Sequence, residues 1–130
     1  MPIRVVVADD HPLVLSALEK LLADSGEFEI VASCRDGGAA IQAVRVHAPD
    51  LLLLDLHMPG RDGLSVLRQL RQDGADTATV MFVGDATDEQ MREAEQLGVA
   101  AILMKGVPPR ELLSRVRQIY QEATGKPRTK

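Results

Sequence analysis

Apolar runs and amphipathic stretches alternate along this chain, and three of the runs end in a charged residue. Ile3-Arg4-Val5-Val6-Val7-Ala8 leads into Asp9-Asp10, Leu51-Leu52-Leu53-Leu54 into Asp55, and Ala100-Ala101-Ile102-Leu103-Met104 into Lys105. Short apolar runs with few breaks read as strands buried on both faces. The pattern predicts strands over residues 3–8, 28–33, 51–55, 79–83 and 100–104. Helical spacing predicts helices over about 12–25, 37–47, 63–73, 88–97 and 109–123. Punctuation agrees with these bounds. Pro12 suits a first helical turn and Gly26 a stop. Asp36 is a candidate cap, and Pro49 closes the second helix. Gly60 and Gly63 bracket a loop before the third helix. Thr87 or Asp88 opens the fourth, with Gly98 past its end, and Pro108-Pro109 opens the fifth.

Five repeats of strand then helix predict a doubly wound α/β fold, a parallel sheet with helices on both faces. Right-handed crossovers leave few topologies. In an open parallel sheet the carboxyl ends of the strands share one edge. Asp9, Asp10, Asp55 and Lys105 are therefore expected to meet there. Met91, Ala94 and Leu97 form a stripe at helical spacing, as do Leu112, Leu113, Val116 and Ile119. Both read as core-facing.

Composition narrows the class. At 130 residues the chain suits one domain. The 45% hydrophobic content comes with only 2% aromatics, which suits Val/Leu/Ile-rich buried strands. A formal net charge of −4 argues against nucleic-acid binding by this domain alone. The single cysteine, Cys34, has no internal partner, so a reducing cytoplasm is the expected setting and a buried apolar role the expected one. No signal peptide and no stretch of membrane-spanning length is read. Residues 1–123 read as the domain. Residues 124–130 read as a polar basic tail or the start of a linker.

Three carboxylates held together repel, and a divalent cation relieves that repulsion. Magnesium is small and hard, takes oxygen ligands, and binds through one or two carboxylates plus phosphate oxygens. An aspartate carboxylate can attack phosphorus to form an acyl phosphate. Phosphoryl transfer is then mainly a matter of positioning and charge stabilisation, to which a lysine contributes a point charge on a flexible stem. Because a hard site prefers oxygen, His11 is not expected to be a ligand.

Asp9-Asp10-His11-Pro12-Leu13-Val14, Leu54-Asp55-Leu56-His57-Met58-Pro59-Gly60-Arg61-Asp62-Gly63 and Leu103-Met104-Lys105-Gly106 together resemble the receiver domain of bacterial two-component response regulators. The likeness covers about residues 3–123. The wording of the first two motifs is most similar to the NarL/FixJ (LuxR-type) group. The resemblance implies a flavodoxin-like sheet of order 2-1-3-4-5. It implies that Asp55 accepts a phosphoryl group from a histidine kinase. Magnesium, with manganese as an alternative, would be held by Asp9, Asp10, Asp55 and the backbone carbonyl of His57, and Lys105 would contact the phosphoryl oxygens. The domain would catalyse its own phosphorylation and its own dephosphorylation, without being a turnover enzyme. Its partners would be a sensor histidine kinase and a second copy of itself. DNA would be reached only through an output domain, and no membrane contact is expected.

Two positions depart from the family pattern. Receivers usually carry Ser or Thr at the end of strand four and Tyr or Phe three residues before the lysine. Here those positions are Val83 and Ile102, so phosphoryl acceptance is expected to survive while coupling to the distal surface is in question. His57 and Asp85 match positions that line the approach of water, Gly84 leaves space for a phosphate to approach, and the three are candidates for tuning phosphoryl lifetime. The main alternative is an interaction domain that works without phosphorylation. A haloacid-dehalogenase-like phosphatase would need an Asp two residues after its nucleophile, where this chain has His11 or His57. A flavodoxin would need a Ser/Thr-rich phosphate loop in place of Asp10-His11-Pro12.

Overall fold

The computed structural model describes residues 2–125. Five strands, β1 (Ile3–Ala8), β2 (Phe28–Cys34), β3 (Leu51–Asp55), β4 (Ala78–Val83) and β5 (Ala101–Met104), alternate with five helices. The helices are α1 (Pro12–Ser25), α2 (Gly37–His47), α3 (Gly63–Gln72), α4 (Asp88–Gln96) and α5 (Pro109–Thr124). All strand pairs are parallel, in the order β2-β1-β3-β4-β5. Every predicted element is present. Several bounds differ by one residue: β2 extends to Cys34, β4 begins at Ala78, β5 begins at Ala101, α3 stops at Gln72, α4 at Gln96, and α5 reaches Thr124. The tail assignment over 126–130 lies outside the described residues.

The strand pattern builds two apolar layers. Val6, Ala8, Leu52, Leu54, Met81 and Val83 face one side, against Ile41 and Val44 of α2, Leu67 and Leu70 of α3, and Ala94 of α4. Val5, Val7, Leu51, Leu53, Val80, Phe82 and Leu103 face the other, against Leu15, Leu18 and Leu22 of α1 and Leu112 and Val116 of α5. Alternation sends successive residues to opposite faces, and because both faces are covered, no polar residue interrupts the leucine run of β3. Leu51–Leu54 are almost fully buried. Each such side chain contributes about 1.5–3 kcal/mol of transfer free energy.

The helix starts use local chemistry. The Asp36 carboxylate accepts the Ala39 N–H at 2.8 Å, and the Asp62 carboxylate accepts the Ser65 N–H at 2.9 Å. Thr87 and Gln90 form a reciprocal capping box on α4. Gly26, in the left-handed region at φ 73°, ends α1. Across elements, Arg117 of α5 makes a bidentate pair with Glu27 before β2, and Arg68 of α3 pairs with Glu93 of α4. No described helix is long and apolar enough to cross a membrane.

Candidate functional site

The carboxyl ends of β1, β3 and β5 deliver the charged residues to one edge. Ladder bonding continues past two strand ends and fixes the backbone there: Asp9 N–H donates to Cys34 O at 3.0 Å, and Lys105 N–H donates to Val83 O at 2.7 Å. Asp55 is paired with Phe82 across β3 and β4. Reversal of winding direction between β1 and β3 opens the crevice in which such sheets bind ligands.

Asp9 and Asp55 are 1% and 2% exposed, a burial that ionisable groups tolerate only with compensation. Lys105 provides part of it. Its ammonium lies 3.0 Å from Asp9 Oδ2 and 3.3 Å from Asp55 Oδ1. The contact to Asp9 is an ion pair without good hydrogen-bond geometry, and Asp9 Oδ2, Asp10 Oδ1 and Asp55 Oδ2 remain buried without a hydrogen-bond donor. Burial pushes the Asp55 carboxyl above its ordinary range, and the Asp9 charge adds to the rise; Lys105 and a backbone hydrogen bond from His57 pull it back. One ammonium thus serves two buried acids, with a third, Asp10, half-buried beside them. Buried carboxylate oxygens short of donors are the chemistry a hard divalent cation satisfies, and the residues present fit magnesium.

The structure also brings in a group that oxygen preference would leave out. The His11 ring reaches into the acids: Nδ1 lies 3.0 Å from Asp9 Oδ1, 3.1 Å from Asp10 Oδ1 and 3.8 Å from Asp55 Oδ2. The His11 backbone N–H donates to Asp9 Oδ1 at 2.9 Å. Adjacency in sequence was the available signal, but the side chain of the first residue after the acids could point either way.

An open cleft of about 550 Å³ leads to Asp55, lined by His11, Val14, His57, Gly84, Asp85 and Lys105. His57 Nε2 stands 3.3 Å from both the carboxylate and the backbone oxygen of Asp85, bridging the β3 and β4 ends at the cleft rim. Gly84 leaves room for the Lys105 stem, whose Cδ is 3.9 Å from where a Cβ would stand. Val83 is fully buried in the apolar layer, and Ile102 packs against that layer. No register shift supplies the hydroxyl that Val83 lacks: the Thr87 hydroxyl is engaged by the Gln90 N–H at 3.0 Å, and Thr79 lies four residues earlier, opposite Leu52.

A doubly wound sheet carrying an acid–lysine crevice at its switch point is the architecture of two-component signalling receivers. The chain belongs to the response regulator receiver domain family, whose model matches residues 5–117. It is similar to the response regulator UvrY of Escherichia coli, with 31% identity over 118 residues, covering 91% of this chain and 54% of that protein. It is likewise 31% identical to the oxygen regulatory protein NreC of Staphylococcus haemolyticus, over 93% of this chain and 56% of that one. These relatives are of the NarL/FixJ (LuxR-type) group. Among solved structures, the receiver domain of the response regulator NarL from Mycobacterium tuberculosis matches with a TM-score of 0.87 and 33% identity, covering 96% of this chain and 98% of that one. A receiver domain protein from Methanospirillum hungatei, at 22% identity and a TM-score of 0.88, shares the fold. The chain spans about half the length of the curated relatives it matches.

Proposed function

We propose that Asp55 accepts a phosphoryl group from a phosphohistidine of a sensor histidine kinase, in a divalent-metal-dependent reaction. The observation that carries this reading is the convergence of buried Asp9 and Asp55 on one lysine, with carboxylate oxygens left short of donors. An Asp55 oxygen attacks phosphorus, the P–N bond to the donor imidazole breaks, and its electron pair stays on that nitrogen. Lys105 holds its ammonium against the equatorial oxygens, where charge is spread in the transition state. Asp9, Asp10, Asp55 and the His57 carbonyl would hold the metal, Mg2+ or Mn2+, and it would supply further positive charge to the phosphoryl group. Lys105 draws the raised Asp55 carboxyl back toward its ordinary range, and a bound metal would lower it further and favour the carboxylate as nucleophile. The chemistry is one self-phosphorylation and a slower hydrolysis, not turnover of an external substrate. His57 and Asp85, joined across the cleft rim, set how readily water reaches the acyl phosphate. The domain works in the cytoplasm. By analogy with its relatives, it controls a DNA-binding output module.

A second reading is favoured by Val83 and Ile102. With an apolar side chain buried where a hydroxyl would bond the phosphoryl group, and no aromatic ring to move, the distal surface gains no differential contact on phosphorylation. The domain then acts as an interaction module whether or not Asp55 is modified.

Incubation with Mg2+ and a small phosphodonor, followed by intact-mass measurement, tests the first reading. A gain of one phosphoryl group that disappears in Asp55→Asn is expected. No gain, or a gain that persists in Asp55→Asn, contradicts it. If the mass gain comes without any change in oligomeric state or partner binding, the second reading stands.

A further inference from the structure

The acidic crevice contains a nitrogen donor. His11 Nδ1 and one carboxylate oxygen from each of Asp9, Asp10 and Asp55 all lie within 4.8 Å of one another. Two ligands of one octahedral ion, each about 2.1 Å from it at right angles, stand about 3.0 Å apart. The Nδ1 separations from Asp9 and Asp10 are 3.0 and 3.1 Å. Such distances also suit hydrogen bonds from a histidine at a helix start. Two observations favour more than that. Asp55 Oδ2 and Asp9 Oδ2, on residues 2% and 1% exposed, lack hydrogen-bond donors within the same cluster. The imidazole also makes no cap on α1, where a helix-starting side chain ordinarily contributes. The ring is directed at the acids and at Lys105, whose ammonium lies 3.4 Å from Nδ1, and not at the helix.

Resting on the reading of this crevice as a cation pocket, we propose that His11 Nδ1 is a metal ligand, and that it gives the pocket a preference for a borderline first-row divalent ion over Mg2+. Magnesium takes oxygen and surrenders its waters reluctantly. Imidazole suits ions such as Ni2+, Co2+ and Zn2+, whose affinities for nitrogen-containing sites exceed that of Mg2+. Three carboxylates alone make a hard site; one nitrogen among them shifts the balance. His11 is the donor placed to do so because its backbone is held by the bond from its N–H to Asp9 Oδ1. The other nearby imidazole, of His57, is turned toward Asp85 at the rim.

Calorimetric titration of tag-free protein with Ni2+ and, separately, Mg2+ tests this, using the wild type, His11→Ala, His11→Asn and His47→Ala. The His11 side chain is 59% exposed and makes no cap on α1, so both substitutions should leave a folded protein, which melting of the metal-free variants checks. Loss of a ligand should weaken Ni2+ binding at least about 10-fold in both His11 variants, by comparison with the 10–100-fold cost of losing even an outer-shell partner. Mg2+ affinity should change less than about 3-fold, and His47→Ala, in the last turn of α2 and away from the crevice, should bind Ni2+ as the wild type does. Equal effects on both ions, or none on Ni2+, overturn the role of His11 while leaving the cation pocket intact. If the wild type binds neither ion, the pocket reading itself fails.

Discussion

At the scale of single residues, the acids and the lysine were legible because each terminates an apolar run, and a parallel sheet brings such ends together. Two contacts were not legible. The His11 ring orientation depends on a side-chain torsion that sequence does not encode. The His57–Asp85 bridge joins loops 28 positions apart that meet only in the folded sheet. The state of Asp55 was not legible either, since it follows from burial beside Asp9. It has a stability consequence. With its carboxyl raised above the unfolded value, the native state binds the proton more tightly than the unfolded chain does. This site's contribution to stability is therefore complete below the unfolded value of 3.8 and is lost as pH rises through the raised native value. In the presence of a chelator, Asp55→Asn should melt higher than the wild type at neutral pH, and the gap should close as the pH falls toward 4. Thermal denaturation across that pH range measures it. A gap that widened on acidification would show that Lys105 outweighs burial.

At the scale of elements, the existence and order of all ten were written in the periodicity, and the caps Asp36 and Thr87 in local sequence. Bounds slipped by a residue where the pattern is soft, as at Ala78, whose small side chain marks neither strand nor loop. Asp62 as the cap of α3 was hidden by the Gly60–Gly63 turn, in which an acid is an ordinary turn residue. A joint with little room for a side chain lies after β3. Gly63 starts α3 with its N–H bonded to Leu56 O at 2.7 Å, and a Cβ there would stand 2.5 Å from Asp55 O and 2.9 Å from Leu56 Cα. That backbone carries Asp55 and leads directly to the His57 carbonyl. Gly63→Ala should cost about 1–3 kcal/mol by overpacking and slow phosphoryl uptake on Asp55. Gly106→Ala, with nothing within 4 Å of its Cβ, should do neither. Urea unfolding and a phosphorylation time course on the two variants check this; equal behaviour would mean that the close approach relaxes freely.

At the scale of the whole molecule, function depends on topology. Asp9, Asp55 and Lys105 belong to three strands, and neither local sequence nor any single strand–helix unit contains the site. Strand order 2-1-3-4-5 puts β1 beside β3, so that Asp9 and Asp55 end neighbouring strands, and β5 returns Lys105 to them by way of β4. The sequence could name the residues because run-ending charges survive any topology. It could show that Val83 and Ile102 break the switch pattern, but not that Val83 would be sealed in an apolar layer, since that depends on which face each strand residue takes. Reactivity at Asp55 should therefore track the native sheet and vanish in urea. The most direct measurement is to treat the protein with Mg2+ and a small phosphodonor, reduce the product with borohydride, and map the peptides. An acyl phosphate is converted to homoserine under those conditions, and homoserine is expected at position 55 alone, in native protein and not in the unfolded chain. Homoserine at another acid, or at none, would contradict it.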